Sequence, residues 1–122
     1  MGLDNYPARD PEGTLSWKDE EEFRKAGIRL CGGLFSDGTV SFRGKVYSEL
    51  VEEVTGVSLY RNWIPPETVR EMAAALSAHS PEELARIWLG EDYKEEHVRE
   101  MADLQRYFQI CAQRGLGLIG WW

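Results

Sequence analysis

The sequence predicts an α+β domain in which a small antiparallel or mixed sheet, a hairpin plus a C-terminal strand, packs against four or five helices. Three observations carry this. Apolar residues recur at helical spacing in several segments, each bounded by a recognisable cap. Ile28, Leu30, Gly32 and Leu34 alternate instead, as do Val40 and Phe42 beyond Asp37-Gly38, the pattern of a hairpin with a two-residue turn. The run from Gly115 to Trp122 holds no charged or polar side chain. Left in water, such a run forfeits several kcal/mol, at roughly 1.5–3 kcal/mol per large side chain. It is therefore expected inside the sheet or plugged into an apolar groove.

Residues 1–15, with Pro7, Pro11 and Gly13, read as loop. Ser16, with Asp19 three positions on, caps a short helix that stops at Gly27. After the hairpin the period changes at Gly44: Val46, Tyr47, Leu50, Val51 and Val54 share a helix face, and Gly56 ends it. Residues 57–66 form an aromatic-bearing connection, and Pro66 suits the first position of a helix carrying Val69, Met72, Ala73 and Leu76. Ser80-Pro81-Glu82-Glu83 opens another helix to about Leu89. The longest helix is expected from about Tyr93 to Arg114, with Val98, Met101, Leu104, Phe108, Cys111 and Ala112 inward and Gly115 as its stop. The strand from Leu116 to Trp122 closes the chain.

At 122 residues the chain makes one domain, 1–122. Its net charge of −7 argues against nucleic acid and against an anionic membrane surface, both of which demand a Lys/Arg excess. Part of the acidity complements helix dipoles, since Asp19 to Glu22, Glu67, Glu82 and Glu83 cluster at expected helix starts. No run approaches membrane-spanning length, and the opening residues lack the basic and apolar regions of a signal peptide. Cytoplasmic placement with reduced thiols is expected. Cys31 and Cys111 match no zinc spacing and are too few for a disulfide scaffold.

The nearest approach to a chemical motif is Phe42-Arg43-Gly44-Lys45-Val46, where amides at a helix start flanked by Arg43 and Lys45 could hold an anion. It is not a P-loop, because Val46 stands where Ser or Thr would hold magnesium. A glycine cap with two solvated basic side chains explains the same residues. Tyr60-Arg61-Asn62-Trp63 has the materials of a recognition loop, although Trp63 equally suits the core. Cys31 reads as a buried thiol on a strand, and Cys111 as core. Glu96, His97 and Glu100 read as a solvated helix face; no metal and no cofactor is expected.

Met1-Gly2-Leu3-Asp4-Asn5-Tyr6, Leu30-Cys31-Gly32-Gly33, the run Phe42 to Tyr47 and the ending Gly117 to Trp122 resemble a group of small bacterial proteins with no assigned activity. The resemblance spans nearly the whole chain and implies no catalytic residue. Two functional readings remain. The first is a non-enzymatic acidic interaction or regulatory domain, such as an immunity-type neutraliser of a basic protein, acting as monomer or homodimer. The alternative is a small-molecule or anion-binding domain, or an enzyme, in which Arg43, Lys45 and Arg61 meet a ligand beside Cys31, Tyr47 and Trp63. Whether those three cations converge on one concavity separates the readings.

Overall fold

The structure, a computed structural model, describes residues 2–122. The α+β expectation holds: five helices pack on a small three-stranded antiparallel sheet. Strand β1 is Asp4–Ala8, β2 is Trp63–Ile64 and β3 is Gly117–Trp121. Their order is β1-β3-β2, so the apolar final strand is central, as its two-faced apolarity requires. Asp4 lies opposite Trp121 and Tyr6 opposite Ile119, while Trp63 faces Ile119 from the other side.

The partners of β3 are not the expected ones. Residues 28–43 form no hairpin but an irregular excursion with isolated bridges at Gly33–Ser36 and Asn5–Phe42. The reason lies in Asp37, whose carboxylate accepts the amides of Thr39, Val40 and Ser41 and so consumes donors that a ladder would need. The place beside β3 is taken by β1, within a segment whose prolines read as loop. Asn5 exchanges both backbone hydrogen bonds with Phe42, away from β3. By the two-residue period the backbone nitrogen of the buried Pro7 also faces away from β3, where its missing N–H costs the ladder nothing. Close approach sets the composition of β3 as well: a Cβ on Gly120 would lie 2.4 Å from the Arg61 carbonyl oxygen, and one on Gly117 2.3 Å from that of Ile64.

The helices follow the caps. Helix α1, Trp17–Lys25, opens on Ser16 and Asp19 in a reciprocal capping box. Helix α2, Gly44–Thr55, ends at Gly56 in the left-handed conformation. Pro66 is the first residue of α3, Pro66–Ser77, and Ser80 and Glu83 box the start of α4, Pro81–Leu89. Helix α5, Glu95–Arg114, begins two residues later than expected because Lys94 occupies the cap position. It packs along α3 and α4, with α2 and β3 against α3. Its inward face is wider than the expected stripe, since Tyr107 and Ile110 are buried too. The Tyr107 ring sits 4.7 Å from Phe23 and 4.9 Å from Phe42, and its hydroxyl donates to the Val40 carbonyl.

Among the described residues, Asp19 is the one charged residue that this framework encloses completely. The fully buried Asp19 carboxylate accepts from Arg9 at 2.7 and 2.9 Å, from Arg114 at 2.9 Å and from the Ser16 amide at 3.1 Å. It thereby joins the segment after β1 to α1 and the end of α5. Burial alone would raise its pKa, but the hydrogen bonds from Arg9, Ser16 and Arg114 outweigh this and hold the carboxyl well below the usual range.

Candidate functional site: an aromatic cleft at the end of the sheet

Where β3 leaves the sheet, it meets a tight turn from the irregular excursion. The Gly33 amide donates to the backbone and side-chain oxygens of Ser36, which places Leu34 and Phe35 at the tip. Two contacts with β1 fix this turn. Tyr6 donates its hydroxyl to the Phe35 carbonyl, and the Ser36 hydroxyl donates to Asp4 Oδ1 at 2.6 Å. Phe35 then stands edge-to-face on Trp121 with centroids 5.1 Å apart, and Tyr60 does the same on Trp122 at 5.6 Å.

Between these elements lies a cleft of about 400 Å³, lined by Asp4, Leu34, Phe35, Arg43, Trp121 and Trp122 among others. That volume is in the range of small binding sites. The walls are largely apolar yet wet: Leu34 is 90% exposed, Phe35 57%, Trp121 52% and Trp122 48%. The terminal tryptophans are thus corrected from interior residues to half-exposed ones. Burial in β3 stops at Gly120, and the rings beyond it reach the mouth of the sheet and not its core.

The basic residues singled out in the sequence do not converge. Arg43 lines the aromatic cleft. Lys45 lines a separate groove between α2 and α4, of about 340 Å³, together with Glu49, Glu53 and Trp88. Arg61 lines neither; its carbonyl accepts the Gly120 amide beside β3. The helix start they flank is filled by the chain itself. The Lys45 amide donates to the Leu3 carbonyl, and a Cβ on the buried Gly44 would fall 1.7 Å from Asn5 Oδ1. Asn5 is fully buried; its amide nitrogen is held by the Leu59 carbonyl, and its oxygen lies against Gly44 with no hydrogen-bond donor. A carbonyl dipole therefore lies at the positive end of α2, the place that the anion reading assigned to a ligand.

Tyr47 is core. Its hydroxyl accepts the Cys31 amide and donates to Glu100, and burial together with that carboxylate raises its pKa. Cys31 lies half-buried in the excursion and not on a strand, with its carbonyl taken by the Arg43 amide. Cys111 is fully buried, as expected, and burial pushes its thiol pKa up. Trp63 is half-buried in β2, and Tyr60 is 39% exposed. His97 Nδ1 accepts the Lys94 amide at the start of α5, a capping role that accounts for its position.

Sequence reasoning missed Asp4, Leu34 and Phe35, and it read Trp121 and Trp122 as interior rather than as walls of a cleft. The one signal was an adjacent apolar pair directly before the Ser36-Asp37-Gly38 turn, where a tip residue is normally polar. Comparison with known proteins adds nothing to this geometry: no protein-family model, no curated protein and no solved structure matches the chain.

Proposed function

We propose that this chain is a non-enzymatic binding protein that docks a protein partner on the aromatic cleft. The supporting observation is the grouping of exposed apolar side chains. Of the seven large hydrophobic residues exposed among those described, Leu34, Phe35, Tyr60, Trp121 and Trp122 belong to this one neighbourhood. Scattered exposed apolar residues are ordinary, whereas a contiguous group held on a fixed turn marks an interaction surface. Aromatic residues are the side chains that dominate binding energy at such surfaces. The turn carrying Phe35 is tied to β1 through Tyr6 and Asp4, so little entropy is lost in ordering it.

The anion-ligand reading now rests on Arg43 alone, since Lys45 and Arg61 face elsewhere. A catalytic reading has weak support at the cluster of Cys31, Tyr47 and Glu100, because the Tyr47 proton is held more tightly than usual and its hydroxyl is committed on both sides. No helix among the described residues is long and apolar enough to cross a membrane.

The test is site-directed photo-crosslinking in the native cell, with a photoreactive amino acid in place of Leu34 and, as control, of Glu52, an exposed residue of α2 that does not line the cleft. Docking gives a discrete adduct from position 34 that disappears with Trp121→Ala and Trp122→Ala and is absent from position 52. Equal labelling from both positions, or an adduct indifferent to the tryptophans, refutes it.

A further inference from the structure

The cleft does not present its two charges alike. Asp4 is 8% exposed, with Oδ1 held by Ser36, whereas the Arg43 side chain is exposed and has no carboxylate within ion-pair distance among the described residues. A ligand group that enters between Phe35, Trp121 and Trp122 meets aromatic rings, the fixed Asp4 carboxylate and the exposed Arg43 side chain. In the edge-to-face pair of Phe35 and Trp121, one ring gives only its edge to its neighbour, so that contact covers neither of its faces.

Resting on the docking reading above, we infer that the group seated in the cleft is a weakly hydrated cationic side chain, arginine or methylated lysine, of a basic protein. Three features agree in sign. Indole and phenyl faces attract a cation placed within about 6 Å of the ring. The Asp4 carboxylate supplies the matching charge. The net charge of −7 draws a basic partner toward the molecule and repels an acidic one. Arg43 opposes the cation, and this makes it a determinant of selectivity. A group that stacks poorly on the rings cannot offset the repulsion, so the cleft favours cations with broad, weakly hydrated surfaces over a bare metal ion.

The opposing charges allow a test by sign. Tetramethylammonium chloride is titrated into the protein at constant ionic strength while the indole N–H resonances of Trp121 and Trp122 are followed, with sodium benzoate as the anionic planar probe. Tetramethylammonium should shift both indoles saturably and benzoate should not. Asp4→Asn, which keeps an oxygen for Ser36, should weaken binding about 3- to 30-fold. Arg43→Ala should tighten it about 2- to 5-fold by removing the like charge. Should Asp4→Asn fail to fold, the direction of the Arg43→Ala effect decides by itself. Benzoate binding that vanishes in Arg43→Ala overturns the cationic inference, as does tetramethylammonium binding unchanged by Asp4→Asn. Neither result touches the docking reading, which stands or falls on the crosslink from position 34.

Discussion

Replacing Asp19 by asparagine removes one charge from the interior while keeping the side chain's shape. The carboxylate accepts four hydrogen bonds, three of them from Arg9 and Arg114. An asparagine has a single oxygen to offer, and its NH₂ group would point donors at donors. Breaking a fully buried ion pair from one side typically costs 3–5 kcal/mol. Here the orphaned arginines keep access to water, with 45% of the Arg9 and 28% of the Arg114 side chain exposed. The cost should therefore fall to about 2–4 kcal/mol. A chain of this length unfolds with an entropy of about 0.26 kcal/mol per kelvin, so the midpoint should drop by roughly 8–16 °C at pH 7. The pH dependence has a definite sign. Because the folded-state pKa is depressed, the contribution is complete above the unfolded carboxylate value near 4 and is lost as pH falls through the folded value. The gap between parent and variant should narrow between pH 7 and pH 3. Thermal melts followed by circular dichroism at the two pH values measure both effects. A variant that melts within about 2 °C of the parent would refute the assigned role of the ion cluster. A gap that does not change with pH would assign the loss to packing and not to charge.

Four other outcomes follow from the same structure. Gly44→Ala places a methyl 1.7 Å from Asn5 Oδ1 and should cost about 1–3 kcal/mol; adding Asn5→Ala should return part of it, a coupling that a double-mutant cycle by urea denaturation detects. Because Trp121 and Trp122 are half-exposed, alanine at either should cost less than about 2 kcal/mol, whereas Leu118→Ala in the buried part of β3 should cost about 2–5 kcal/mol, as compared by thermal melts. Tyr47→Phe leaves the Cys31 amide and Glu100 without their partner and should cost about 1–3 kcal/mol in the same assay. A maleimide reagent should modify the half-buried Cys31 in the native protein and the buried Cys111 only on unfolding, as read by mass spectrometry.

Local chemistry made the helices legible. Ser16 with Asp19, Ser80 with Glu83, Pro66, Gly56 and Gly115 each act within one turn of chain, and a reader of the sequence sees all the atoms involved. The central place of β3 was legible too, from the absence of polar residues between Gly115 and Gly120. The partners of β3 were not. Pairing of Tyr6 with Ile119 leaves no local trace, and Pro7 disguised the strand because its nitrogen, facing away from β3, removes the usual objection to proline. The hairpin expectation failed for the converse reason: the alternation of Ile28, Leu30 and Leu34 was real, but the three amides taken by Asp37 decide the backbone. At the site, Arg43 and Tyr60 were singled out from residue type, whereas Trp121 and Trp122 were read as interior. Asp4 and Phe35 escaped because the cleft is made by distant segments that meet only in the fold.

That distance has a consequence for when the molecule becomes competent. Tyr6 and Ile119 are paired across almost the whole chain, and closing so long a loop costs on the order of 4 kcal/mol in chain entropy before any contact repays it. Helices α1 to α5 can begin to form from neighbouring residues alone, but Asp4, Phe35 and Trp121 share no surface until β3 has entered between β1 and β2. During synthesis the cleft therefore forms only after β3 has been made. A nascent chain, or one clipped within β1 or β3, has helices but no cleft, so the presence of the cleft reports that β1, β2 and β3 have come together.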